Sequence, residues 1–150
     1  MSEHKMYIEQ LNRYYAVWRE NNLVYEEWAK AHGLSETGLL VLQAIYYDKE
    51  NCTQKKISEQ WVIPKQTVNM ILKDFEKKGF VGFTPMQKDR RNKKIFLTDA
   101  GKKYADSVIS ELMALELAVI EEMGIERIKQ INDNTSLFVE LFCKLGDKNK

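Results

Sequence analysis

The chain has 150 residues and a formal net charge of +1, with 44% hydrophobic and 30% charged residues, two prolines and seven glycines. That length fits one ordinary domain with a real core, and the composition excludes a disordered or collagen-like chain. Glu3, His4, Lys5 and Glu9 argue against a signal peptide, and no later segment is apolar enough to span a bilayer. A cytoplasmic protein with no membrane partner is expected, and the two distant cysteines, Cys52 and Cys143, fit a reducing compartment.

From about Met6 to Ala31, Tyr7, Leu11, Tyr14, Tyr15, Trp18, Tyr25 and Trp28 recur at helical spacing, and Gly33 follows as a stop. Ser35 is a plausible cap for a second helix with a core-facing stripe of Leu39, Leu42, Ile45 and Tyr46, ending near Asp48. Thr53 caps a short helix with Ile57 and Trp61 inward. Pro64, at a first helical position, opens another that runs to Lys78 before Gly79. Val81-Gly-Phe83 and Ile95-Phe96-Leu97 alternate like strands, joined by the charged run Lys88–Lys94, which predicts a hairpin with a basic tip. Thr98 caps a long helix from Asp99 to about Met123, and after Gly124 a last helix runs from Ile125 to about Leu145.

Charge is distributed unevenly along these elements. Residues 1–52 carry five Lys and Arg against eight Asp and Glu, residues 53–94 carry eleven against four, and residues 95–150 carry seven against ten. The middle is therefore +7 and each flank −3, so a local positive field lies over the two short helices and the hairpin.

Winding 64–78 at about 100° per residue puts Val68, Ile71, Leu72 and Phe75 on one side and Lys65, Gln66, Asn69, Met70 and Lys73 on the other. Amides of that second set suit bidentate pairing with adenine edges, and its ammonium groups reach guanine or phosphate. Taken alone, the same residues also describe the solvated face of an ordinary amphipathic helix. The hairpin tip weighs against that reading, because it packs five Lys or Arg and one Asp into Lys88–Lys94, and Arg favours a narrow minor groove.

A recognition-type helix followed by a basic hairpin is a winged helix, and the text here resembles the MarR family of multiple-antibiotic-resistance regulators. The resemblance is carried by "TQKKISEQWVIPKQTVNMILKDFEKKGFV", then "DRRNKKIFLTDAG", with "LSETGLLVLQAI" upstream. It implies that the 64–78 helix enters the major groove of double-stranded DNA and that the wing reaches the neighbouring minor groove or backbone. Asp89 and Arg91 fall on the family's Asp-x-Arg wing motif, so the resemblance makes Asp89 the residue that orients the wing arginine and Arg91, then Arg90, the wing contacts. The full expected DNA-binding set is Lys65, Gln66, Thr67, Asn69, Met70, Lys73, Arg90, Arg91 and Lys93. Asn92 stands where relatives often have glycine, a mild change because Asn tolerates the left-handed conformation open to glycine in a turn. Phe83 stands where many relatives have arginine, which puts any contact of that arginine in doubt.

The long apolar stripes of the first and last two helices exceed what one module can bury, and a helical dimer interface is their natural outlet. The resemblance implies the same homodimer, with recognition helices about 34 Å apart on a pseudo-palindromic operator, and repression as the outcome. The fold class expected is mainly α, a winged helix-turn-helix with a two-stranded β-wing flanked by long N- and C-terminal dimerisation helices. One domain spans 1–150, with the DNA-binding lobe at 35–98 and the dimerisation region at 1–33 and 99–150.

Resemblance further implies release by a small aromatic effector, for which Tyr14, Tyr15, Trp18, Tyr25 and Tyr46 are candidate pocket residues; each also reads as core or interface packing. Redox control, known in the family through cysteines near the start of the first helix, has no cysteine there to use, and Cys52 and Cys143 both read as buried, inert thiols. With His4 in a frayed terminus and His32 at a helix end as the only histidines, no phosphate loop and no metal-ligand spacing, no catalytic residue, cofactor or metal is expected. The alternative class is a winged-helix protein-interaction or ligand-sensing module with weak DNA affinity.

Overall fold

Eight elements follow one another in the expected order: α1 (Glu3–Ala31), α2 (Glu36–Tyr47), α3 (Gln54–Trp61), α4 (Lys65–Lys77), β1 (Val81–Pro85), β2 (Lys93–Leu97), α5 (Asp99–Met123) and α6 (Ile125–Asp147). They are seen in a computed structural model that describes residues 2–86, 88–89 and 91–148. The chain forms two compact units, residues 1–108 and 109–150.

In the first unit the helix starts follow the hydrogen-bonding side chains that precede them. Ser2 Oγ accepts from the Lys5 amide, so α1 begins three residues earlier than its apolar pattern does and takes in His4. Ser35 accepts from the Gly38 amide at 2.9 Å and Thr53 from the Lys56 amide at 3.1 Å, which fixes the starts of α2 and α3. Leu39, Val41, Leu42 and Ile45 of α2, Ile57 of α3, and Val68, Leu72 and Phe75 of α4 are buried together as the core of this unit. Tyr46, expected on the same stripe, is half-buried at its edge.

The corner between α3 and α4 departs from the sequence reading in two ways. Trp61, expected inward with Ile57, is 39% exposed. The helix ends at Trp61, and Val62 turns the chain through the left-handed region at φ 53°, ψ 48°. Pro64, expected as the first helical residue, is instead the residue before the helix, because its ψ of 137° is extended. Ile63 is buried beneath this corner, its N–H bonded to the Ser58 carbonyl at 3.1 Å and its carbonyl accepting from Ser58 Oγ at 2.6 Å.

Val62 is the one non-glycine residue at positive φ among the described residues, and its side chain is 88% exposed. A β-branched residue there costs about 1–2 kcal/mol in steric strain, with no packing to offset it. Val62→Asn is expected to raise stability by roughly 1 kcal/mol, read as a higher urea midpoint at unchanged slope. A lowered midpoint contradicts the strain assignment.

β1 and β2 pair antiparallel with Val81 opposite Leu97, Gly82 opposite Phe96 and Phe83 opposite Ile95. Val81 and Ile95 turn into the core, while Phe96 lies on the other face with its ring over Gly82. The Ile95 amide donates to the Cys52 carbonyl at 2.8 Å, and Thr53 bridges to Lys94, so the start of α3 and the hairpin are one hydrogen-bonded piece. Thr98 performs its expected capping and joins the hairpin to α5. Its Oγ accepts from the Gly101 amide at 3.0 Å and donates to the Gly79 carbonyl at 2.6 Å, while its own N–H donates to the Phe80 carbonyl at 3.0 Å. This is a winged helix-turn-helix with a two-stranded wing and long flanking helices.

α1 is mostly unburied: among its residues only Ala29 is buried, with Tyr7 63% and Trp18 55% exposed. In the second unit, α6 follows Gly124, itself at positive φ, and has no buried residue. Among the described residues no helix is long and apolar enough to cross a membrane.

Candidate nucleic-acid interface

The exposed face of α4 and the inner side of the wing enclose a cleft of about 460 Å3. Lys65, Asn69 and Lys73 line it from α4, and Arg91 and Lys93 line it from the wing, so five expected contact residues meet in one concave surface. Helical periodicity accounts for the α4 side, because burying Val68, Leu72 and Phe75 turns the residues between them outward. Gln66 and Met70 are exposed, Met70 at 65%, and Thr67 is half-buried; none of the three lines the cleft. Arg90 lies outside the described residues.

The cleft also holds residues that the sequence reading did not place at the interface. Lys55 and Gln54 enter from α3, Glu76 from the end of α4, and Phe83 with Leu72 and Ile95 forms an apolar floor. Gln54 Nε2 donates to the Lys65 carbonyl at 3.1 Å, tying the start of α3 to the first residue of α4. Lys55, Lys65, Lys73, Arg91 and Lys93 set five cations against one acid, Glu76, in this lining. The signal for Lys55 was present as part of the +7 segment.

Asp89 organises the wing tip through the backbone. Its Oδ1 accepts from the Arg91 N–H at 3.0 Å and its carbonyl from the Asn92 N–H at 3.2 Å, while the Met86 N–H reaches back to the Asn92 carbonyl at 3.3 Å. An Asx turn of this kind sets the direction of the chain at Arg91. Asn92 is not at positive φ, so the left-handed conformation that Asn tolerates is not used there. The aspartate supplies the closure instead.

Of the aromatic residues considered for a pocket, Tyr14 and Tyr25 are half-buried in α1, Tyr15 and Trp18 are 50% and 55% exposed, and Tyr46 borders a separate cleft with β2 and α5. Cys52 is buried, and burial, with a smaller contribution from Asp48, pushes its thiol up to about 11, which leaves it protonated and unreactive at neutral pH. Cys143, expected buried, is exposed on α6, a helix with no buried residue. Asp48 itself is held below the usual carboxylate range by its bond to the Lys56 ammonium, which fastens the end of α2 to α3. His32 ends α1 as expected, stacked on Trp28 at 3.7 Å with Nδ1 2.8 Å from the Trp28 carbonyl oxygen.

Residues 32–92 match the model of the MarR family. Over 126 residues the chain is 34% identical to the HTH-type transcriptional regulator SarZ of Staphylococcus epidermidis, a match covering 83% of this chain and 82% of that protein. The chain belongs to the MarR family. MarR-family proteins are DNA-binding winged helix-turn-helix regulators, not enzymes. The fold is shared with NMB1585, a MarR family regulator from Neisseria meningitidis, at 26% identity and a TM-score of 0.78 over 94% of this chain and 99% of that one. It is shared too with Staphylococcus aureus MepR in its DNA complex, at 20% identity and a TM-score of 0.73 over 85% and 96% of the two chains.

Proposed function

We propose that this MarR-family protein is a transcriptional repressor that binds a pseudo-palindromic operator in double-stranded DNA as a homodimer. The observation that carries the reading is the cleft between α4 and the wing, where five cations and Asn69 face one surface against a single acid. Residues 35–98 form the DNA-binding lobe, and residues 1–33 and 99–150 the dimerisation region.

Within the lobe, Lys65, Gln66, Thr67, Asn69, Met70 and Lys73 read the major groove, while Arg91, with Arg90 and Lys93, holds the neighbouring minor groove or backbone. Asn69 can pair bidentately with an adenine edge and Met70 can meet a thymine methyl. Pro64 supplies no side-chain cap to α4, so the first-turn N–H groups remain available to a phosphate. Phe83 in place of an arginine shifts the phosphate contacts toward Lys55, Lys73 and Lys93.

A fluorescence-anisotropy titration of a duplex from the protein's own upstream region, repeated across salt concentrations, tests this. The log–log slope is expected to be roughly −0.9 for each phosphate neutralised. Arg91→Ala is expected to weaken specific binding by about 1–3 kcal/mol while leaving the dimer intact. Affinity no greater than for random duplex at low salt sinks the regulator reading and leaves a protein-interaction or ligand-sensing module.

A further inference from the structure

The start of α4 is held from α3 rather than by a cap of its own. Pro64 precedes the helix without a side-chain cap, and Val62, two residues earlier, sits in the left-handed region. Strain of that kind persists only where neighbouring contacts over-determine the backbone. Two side chains of α3, four residues apart and so on one face of it, supply such contacts. Ser58 Oγ donates to the Ile63 carbonyl at 2.6 Å, and Gln54 Nε2 donates to the Lys65 carbonyl at 3.1 Å.

The two bonds differ in where they lie. Ile63 is buried beneath the corner, and Ser58 does not line the α4–wing cleft. Gln54 is half-buried and lines that cleft together with Lys65 and Asn69. The carbonyl that Gln54 engages is also the one to which the Asn69 amide donates in the helix repeat. One oxygen therefore joins the Gln54 side chain to the backbone of Asn69. We infer that Gln54 is a specificity-determining positioning residue, which fixes the first turn of α4 and with it the placement of the Asn69 side chain against a base edge.

Binding by charge and reading by amides respond differently to a loosened first turn. Long flexible side chains follow a phosphate as the backbone shifts, so Lys55, Lys65, Lys73, Arg91 and Lys93 keep their attraction to any duplex. A bidentate amide pair needs both of its hydrogen bonds at proper distance and angle, and it weakens when the helix start moves. Gln54 thus governs preference among sequences far more than affinity for duplex as such. The role rests on the proposed operator binding, since it concerns the choice among sequences.

The full chain is titrated by fluorescence anisotropy with two duplexes, one from the protein's own upstream region and one of the same composition in scrambled order, across salt concentrations. Gln54→Met keeps the length and bulk of the side chain at a half-buried position and removes the donor. Its ratio of affinities for the two duplexes is expected to fall about three- to tenfold, the factor that matches one ordinary hydrogen bond. Affinity for the scrambled duplex and the salt slope should stay near their native values. Gln54→His, which presents a ring N–H at similar reach, should recover most of the ratio. In the free protein, amide hydrogen exchange at Asn69 should quicken in Gln54→Met relative to that at Phe75 on the same helix.

Partial unfolding lowers affinity for both duplexes alike and leaves their ratio unmoved, so a variant that is merely destabilised does not mimic this result. An unchanged ratio, an equal loss on both duplexes, a Gln54→His protein as poor as Gln54→Met, or unchanged relative exchange at Asn69 overturns the role. A native protein that fails to distinguish the duplexes overturns the operator reading itself, and exchange at Asn69 still decides whether Gln54 holds the start of α4.

Discussion

Gly101→Ala is expected to cost more than about 3 kcal/mol, enough to unfold much of the population at ordinary temperature. Gly101 is buried in the first turn of α5, and a Cβ built on it falls inside contact distance of the Phe80 carbonyl oxygen, 2.7 Å from the carbonyl carbon and 3.0 Å from Cα. Those atoms are backbone, and the backbone is pinned: the Phe80 carbonyl accepts the Thr98 N–H, Thr98 Oγ donates to the Gly79 carbonyl, and the same hydroxyl accepts the Gly101 N–H. Relief requires α5 to separate from the base of the wing, breaking all three bonds and the Phe80–Tyr104 ring stack at 4.5 Å.

Gly82 supplies the internal comparison. A Cβ there also falls too close to its neighbour, 2.8 Å from Phe96 Cε2, but that neighbour is the end of a partly exposed side chain that can rotate away. Gly82→Ala is therefore expected to cost about 1–2 kcal/mol at most. Urea unfolding of the two variants measures both; a Gly101→Ala midpoint close to that of Gly82→Ala contradicts the pinned-backbone account.

The same pair of glycines shows what the sequence makes legible. "LTDAG" was readable as a family motif and Thr98 as a cap, because capping depends on side chains two or three residues away. The reason for Gly101 was not readable, since the atom that forbids a side chain there belongs to Phe80, on the far side of the hairpin. Periodicity placed the core face of α4 correctly because the helix repeat is local. It placed Trp61 wrongly because Trp61 is the last residue of α3, where the chain turns away at Val62 and Ile63, not Trp61, is buried beneath the corner.

The candidate interface divides along the same line. Lys65, Asn69 and Lys73 follow from one helix face, which Glu76 continues, and Arg91 and Lys93 from a charged run, but Gln54 and Lys55 of α3 enter only when separate elements close around one cleft. Asp89 was singled out by motif, and its carboxylate makes an Asx turn with the Arg91 amide, a backbone contact that no motif specifies. Tyr46 was noticed for its ring, whereas the cleft it borders depends on Phe96 and Lys102, about fifty residues away in sequence and invisible to any local pattern.

Replacing Phe138 and Phe142 by Glu together is expected to convert the proposed dimer to a monomer. α6 buries none of its side chains within the chain, yet Leu137, Phe138, Leu141, Phe142 and Leu145 give its last three turns an apolar surface, with Phe142 70% exposed. The two phenylalanine rings stack at 6.3 Å, one helical turn apart, and present a continuous aromatic ridge. Burying side chains of this size against a second copy stabilises by about 1.5–3 kcal/mol each. A glutamate in either place must be desolvated without a partner, at a cost of several kcal/mol.

Within one chain these positions are exposed, so the substitutions leave the winged lobe and its circular dichroism unchanged. Sedimentation velocity at micromolar concentration should then report a monomer. Operator affinity should fall by about 100-fold or more, as two linked half-site contacts become one, while the salt slope of the remaining contact is about halved. A variant that stays dimeric at the same concentration places the dimer contact elsewhere than α6, on the exposed faces of α1 or α5. A monomer that keeps full operator affinity removes the homodimer from the mechanism altogether.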